Sequence, residues 1–187
     1  MNKLLLSVTP VIAAFALPAS APAELPRGAK APLFSTEGAL AGKPFAFQLR
    51  QALRKGPVVL YFYPKSFTQG CTLEANAFAE AMGDFTVAGA TVIGLSADTI
   101  ETQQKFSTEH CRDKFPVGVA TPAIIKAYDV AAVGSDGKPN GLTNRTSYVI
   151  SSDGRIRLVY SNRDYRDHVR LTLETVRSIQ NHSKHKH

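Results

Sequence analysis

Residues 57–74 read Pro57-Val58-Val59-Leu60-Tyr61-Phe62-Tyr63-Pro64-Lys65-Ser66-Phe67-Thr68-Gln69-Gly70-Cys71-Thr72-Leu73-Glu74. The first part is an unbroken apolar run bounded by Gly56 and Pro64. An unbroken run, rather than an alternating one, predicts a strand covered on both faces. Pro64 to Gly70 reads as a loop. From Thr72 to Val87 the apolar residues Leu73, Ala77, Phe78 and Ala81 recur at helical spacing. Cys71 therefore falls in or beside the first turn of a helix that follows a buried strand.

That position has chemical consequences. The first N–H groups of a helix have no partner within it, and its dipole is positive at that end. Both favour an anion, and the thiolate is the nucleophilic form of cysteine. An inert buried thiol is the plainer alternative, since cysteine is among the most buried residue types.

Outward from this stretch, Thr91–Ala97 reads as a second buried strand and Thr99–Cys111 as a helix with Ile100 and Phe106 facing inward. Pro122 opens a short helix through Tyr128, since proline suits a first helical turn. Residues 131–144 read as loop. Thr146–Ser151 and Arg155–Ser161 form a hairpin around Asp153-Gly154. Asp164–Ser178 carries Val169, Leu173 and Val176 on one side of a final helix. Upstream, residues 24–35 read as an extended lead-in, and Phe45–Leu53 as a strand edge running into a helical turn. A β-α-β opening followed by a hairpin predicts a central mixed sheet flanked by helices, the thioredoxin-like α/β arrangement.

The N-terminus reads as a cleaved export signal. Lys3 supplies the positive start, an apolar run extends from Leu4 to Leu17, and Ala21-Pro22-Ala23 offers small residues for cleavage after Ala23. The run is shorter than the ~20 residues that span a bilayer. The chain of 187 residues thus divides into a signal (1–23), one domain (24–181) and a mobile His/Lys tail (182–187). The expected product is a periplasmic or secreted protein without stable membrane association.

With 44% hydrophobic and 20% charged residues, the chain can bury a core and is not of disordered composition. The net charge of +7 is spread over scattered late arginines and lysines. That fits a solvated basic face, and no nucleic-acid partner is expected. The two cysteines, Cys71 and Cys111, invite a disulfide in an oxidising compartment. A domain of this size needs no staple, so redox chemistry is the favoured use of the pair.

The spacing Pro64-x-x-x-Thr68-x-x-Cys71 matches the active-site motif of the peroxiredoxins. Val58-Val-Leu-Tyr-Phe-Tyr-Pro-Lys65 together with Gly70-Cys-Thr-x-Glu74 resembles the bacterioferritin-comigratory-protein, or PrxQ, branch of the AhpC/TSA family. Gly94-Leu-Ser-Ala-Asp98 and Arg145-Thr-x-x-Val149-Ile-x-x-Asp153-Gly154 extend the likeness along the chain. The resemblance implies that Cys71 attacks a peroxide and becomes a sulfenic acid. It implies that Thr68 exchanges hydrogen bonds with thiolate and peroxide, and that Arg145 holds the charge and polarises the O–O bond. It further implies that Pro64 shields the pocket and that Glu74 orients Arg145. Taken singly, Thr68 could be a helix cap, Arg145 a surface residue and Glu74 a complement to the helix dipole.

The sequence departs from the family at Asn76, where many PrxQ-type enzymes carry a resolving cysteine. The role passes either to Cys111, near the end of the next predicted helix, or to an external thiol. The likeness implies no cofactor. It implies peroxide as substrate, a thioredoxin-like or other thiol reductant, and a monomer. A thiol–disulfide oxidoreductase is the alternative, but the positions three away from Cys71 are Thr68 and Glu74, not cysteine. A metal-binding role for His182, His185 and His187 is a further alternative, against the plainer reading of a polar tail.

Overall fold

The computed structural model describes residues 24–184. The elements run β1 (Ser35–Leu40), β2 (Lys43–Gln48), α1 (Leu49–Leu53), β3 (Val58–Phe62), α2 (Gln69–Val87), β4 (Thr91–Ser96) and α3 (Ile100–Glu109). They continue as β5 (Val117–Val119), α4 (Pro122–Ala127), β6 (Ala131–Val133), β7 (Pro139–Thr143), β8 (Thr146–Ile150), β9 (Ile156–Ser161) and α5 (Arg166–Lys184). Seven strands form one sheet in the order β2-β1-β5-β4-β3-β8-β9. The central β3, β4 and β5 are parallel, and β1 and β8 flank them antiparallel. The expected mixed sheet flanked by helices is what the chain forms.

The reading of β3 as doubly covered follows from its alternation. Val58, Leu60 and Phe62 pack into one apolar cluster with Leu49 and Leu53 of α1 and Ile124 of α4. Val59 and Tyr61, with Tyr63 beyond the strand, join the opposite cluster with Phe78 of α2, Phe106 of α3 and Val176 of α5. All five strand residues are buried. Each apolar side chain hidden in this way contributes roughly 1.5–3 kcal/mol relative to leaving it in water.

One packing contact on β4 depends on glycine. Tyr61 pairs with Gly94 across the parallel β3–β4 ladder and stacks on Phe78 with ring centroids 4.4 Å apart. A Cβ at Gly94 would stand 2.5 Å from Tyr61 Cζ. Gly94→Ala is therefore expected to overpack the face that supports α2. The expected loss is about 1–3 kcal/mol, read as a lower urea midpoint with an unchanged slope. An unaltered midpoint would show that Tyr61 can move aside.

Ser35–Leu40 and Val117–Val119 are strands that the sequence reading did not mark, and two expectations are corrected. Residues 131–144 hold the two-stranded ribbon of β6 and β7 rather than loop alone; it turns through Gly137 at φ 74°. Finally, the last helix runs beyond the expected Ser178 through Lys184 and includes His182, whose Nδ1 is 2.7 Å from the Ser178 carbonyl oxygen one turn back. The expected export signal, His185 and His187 lie outside the described residues. No described helix is long and apolar enough to cross a membrane.

Candidate active site

The loop between β3 and α2 is shaped by a buried polar network. Asp98, just past β4, accepts from the Ser66 backbone N–H (2.7 Å) and from the Ser96 hydroxyl (2.7 Å). Gln103 of α3 donates to Ser96 Oγ (2.7 Å) and to the Gly118 carbonyl (3.1 Å), and accepts from the Tyr63 hydroxyl (2.7 Å). These bonds tie the loop to α3 and to the ends of β4 and β5. Phe67 then takes a left-handed conformation (φ 64°), uncommon for a residue with a Cβ. Its exposed ring leans edge-on against Phe106 and His110.

Thr68 occupies the N-cap position of α2 in extended conformation, but its side chain makes no capping bond. Its hydroxyl instead donates to the Lys65 carbonyl at 2.9 Å. The first intrahelical bond runs from Thr72 N–H to Thr68 O, so the N–H groups of Gln69, Gly70 and Cys71 precede the ladder. Cys71 is the third residue of the helix and is 2% exposed. Pro64 is half-buried at the exit of β3.

Arg145 sits immediately before β8, which pairs with β3, and so faces the start of α2. Its guanidinium has three anchors. Nε–H donates to the Arg163 carbonyl at 3.0 Å, Nη1 to Glu74 Oε2, and Nη2 to Cys71 Sγ at 3.5 Å. Glu74 lies one turn beyond Cys71 on the same face of α2, and its side chain is fully buried. Burial pushes its carboxyl up, and the adjacent Arg145 guanidinium pulls it back down. Burial opposes the charge on Arg145 as well, and Glu74 and the cysteine sulfur restore it. Gly70 lets the helix approach closely, since a Cβ there would stand 3.2 Å from Arg145 Nη2.

Cys71, Glu74 and Arg145 are thus brought together, with Thr68 at the helix entrance. Cys111 is fully buried just beyond α3, in the same apolar cluster as Cys71, Tyr61 and Phe115. Burial pushes its thiol far up, away from ionisation. Both cysteines are free thiols. Among the described residues, no group of three or more His, Cys, Asp and Glu side chains is gathered as for a metal ion.

The arrangement offers a buried sulfur with a cationic fork at one side and unpaired N–H groups around it. Such a site is suited to receive negative charge that develops on a leaving group beside the sulfur. The AhpC/TSA family pattern matches residues 27–159.

The chain belongs to the AhpC/TSA family.

Among its family relatives, peroxiredoxin Q of Sedum lineare is 34% identical over 125 residues, covering 66% of this chain and 65% of that protein. Peroxiredoxin Bcp of Bacillus subtilis is 31% identical over 123 residues, covering 65% of this chain and 78% of that one. The aligned part falls just short of two thirds of the Sedum protein's length. The crystal structure of peroxidoxin BcpB from Mycobacterium tuberculosis superposes with a TM-score of 0.71 at 30% identity, covering 82% of this chain and 97% of that one. The AhpC/TSA family thus accounts for the fold and for the stretch carrying Cys71.

Two parts of the site escaped the sequence reading. The Arg163 carbonyl that receives Arg145 is a main-chain group, which any residue could supply. His168 reads from the sequence as a single, uninformative histidine, yet it is fully buried behind Glu74. Its position, four residues before buried Thr172 at the margin of the Val169-Leu173-Val176 stripe, was the available hint.

Proposed function

We propose that this chain is a thiol peroxidase that reduces hydrogen peroxide and organic hydroperoxides through Cys71. The observation that carries the reading is the buried Arg145 Nη2, 3.5 Å from Cys71 Sγ at the N-terminus of α2.

In this reading the Cys71 thiolate attacks the terminal oxygen of ROOH. An S–O bond forms, the O–O bond breaks, and RO⁻ leaves to take from water the proton that Cys71 had released. The products are Cys71 sulfenic acid and ROH. Arg145 holds the thiolate, and with the N–H groups of Gly70 and Cys71 it receives charge as the O–O bond opens. The Thr68 proton is engaged with the Lys65 carbonyl. Its oxygen is therefore left to accept the peroxide O–H. Glu74 orients the guanidinium, and Pro64, which has no N–H, closes the loop side. Cys111 then attacks the sulfenic sulfur, giving a Cys71–Cys111 disulfide and water. A thioredoxin-like dithiol protein returns both thiols. The proposed setting is the periplasm or cell exterior, after cleavage behind Ala23, and the proposed form is a monomer.

The test begins with mature protein, reduced and freed of reductant, then given one equivalent of hydrogen peroxide. Prompt oxidation mapped to Cys71 is expected. A thiol that stays unmodified over minutes, in protein that reduces insulin disulfides, would favour the oxidoreductase reading instead.

A further inference from the structure

We propose that His168 is a positioning residue for Arg145, locking together the strand and the turn that aim the guanidinium at Cys71. The proposal rests on the peroxidase reading only for its kinetic consequence; the aim of the guanidinium is a matter of geometry.

His168 is in the first turns of α5 and is fully buried. Its Nε2 lies 3.0 Å from the Asn162 carbonyl oxygen, which can only accept, so Nε2 carries the proton. Its Nδ1 lies 2.8 Å from Ser147 Oγ and accepts the hydroxyl proton. The neutral ring satisfies both neighbours at once, and burial keeps it neutral by pushing its pKa down to about 4. Tyr160 closes over it edge-on at 4.8 Å.

The two groups that His168 holds are the two that hold Arg145. Ser147 is two residues along β8 from Arg145. Asn162 donates its backbone N–H to the Arg145 carbonyl (3.3 Å), and the next carbonyl, that of Arg163, receives Arg145 Nε–H. The imidazole thus bridges the strand that carries Arg145 to the turn that anchors it. On its inner side lies Glu74 Oε1, 3.9 Å from Nδ1 and without a hydrogen-bond partner of its own. Because the ring is neutral and its Nδ1 proton-free, it does not draw Glu74 away from Arg145. A protonated or shifted ring would compete for that carboxylate. His168 touches neither the sulfur nor the peroxide site, so its effect passes entirely through Arg145.

The test compares His168→Ala, His168→Gln, Ser147→Ala and Val176→Ala. Val176 is buried on the same helix and, being apolar, makes none of these hydrogen bonds, so Val176→Ala controls for lost α5 packing. Two rates are read: oxidation of Cys71 by hydrogen peroxide, and alkylation of Cys71 by iodoacetamide at pH 7, mapped by mass spectrometry. His168→Ala is expected to slow both on the order of tenfold or more, as misplacement of a charged group by a fraction of an ångström does. His168→Gln, whose side-chain amide can still donate to Asn162, should recover much of the loss. Val176→Ala should lower the unfolding midpoint and leave both rates alone. The proposal is overturned if His168→Ala behaves as Val176→Ala does. Should His168→Ala not fold, Ser147→Ala decides, with a slower alkylation supporting the proposal and an unchanged one overturning it. If wild type fails to react with peroxide, the peroxidase reading fails, while alkylation still reports whether His168 sets Arg145 on the sulfur.

Discussion

Arg145→Met is expected to slow the reaction of Cys71 with hydrogen peroxide by about 10²–10³-fold, the usual effect of removing one preorganised donor from a developing charge. It is also expected to lower stability by roughly 3–5 kcal/mol, the usual cost of orphaning one member of a buried ion pair. The two losses have different origins. The kinetic loss comes from Nη2, which reaches the cysteine sulfur. The stability loss comes from Nη1, which pairs with a Glu74 carboxylate that no water reaches. Without the guanidinium, burial pushes Glu74 further toward its neutral form, and it must take up a proton to stay inside. Arg145→Met combined with Glu74→Met should therefore recover most of the stability and none of the rate. Urea unfolding and stopped-flow peroxide kinetics on the four proteins of the cycle separate the two effects. A double variant that regained peroxide reactivity would remove Arg145 from the mechanism.

The legible parts of this molecule were those in which side chains repeat a physical demand. The run from Val58 to Tyr63 specifies a strand covered on both faces because every side chain in it is apolar. Asp153-Gly154 specifies the β8–β9 turn because Gly154 takes φ 77° there. The strands β1 and β5 were silent for the opposite reason. Ser35–Leu40 holds Gly38 and Ala39 among polar residues, and Val117–Val119 is only three residues around Gly118. At Gly118 the backbones of β5 and β1 approach too closely for a Cβ, which would meet Glu37 O at 2.9 Å; at Gly38 a Cβ would meet the Phe45 ring at 2.9 Å. Those strands are specified by their neighbours and not by their own pattern.

The site divides in the same way. Cys71 could be selected from its place at the start of a helix, and Thr68, Glu74 and Arg145 from the resemblance to the peroxiredoxin motif, because thiol, hydroxyl, carboxylate and guanidinium chemistry needs particular side chains. The groups that hold them could not. Ser66 and Arg163 act through their main chains, while Gln103 and His168 are polar residues on helices whose exposure depends on tertiary packing. Thr68 shows the limit of local reasoning. It stands where a helix cap belongs, yet its hydroxyl turns to Lys65.

For Cys111→Ser, the expected result is a change in the product of oxidation. Wild type given one equivalent of hydrogen peroxide should lose both thiols and two mass units, with a Cys71–Cys111 bridge found by peptide mapping. The variant should gain one oxygen on Cys71 and lose most of its turnover with a dithiol protein reductant. In the reduced fold Cys111 is a poor nucleophile, because burial holds it as the thiol. Bridging also needs Cα atoms within about 7 Å. If Cys111 resolves the sulfenic acid, its burial requires that it be released before it attacks, and the turn that follows it is where the chain would open. Arg112 and Asp113 follow it in left-handed conformation at φ 51° and 58°, each costing on the order of 1–3 kcal/mol in a residue with a Cβ. Their side chains offer little restraint, since the Arg112–Glu80 pair (3.4 Å) is solvent-exposed. Opening this turn relieves that strain and wets the thiol, which makes the thiolate accessible where the sulfenic acid can reach it. A variant that turned over at the wild-type rate with a dithiol protein would leave Cys111 as core packing and make the chain a one-cysteine enzyme resolved by an external thiol.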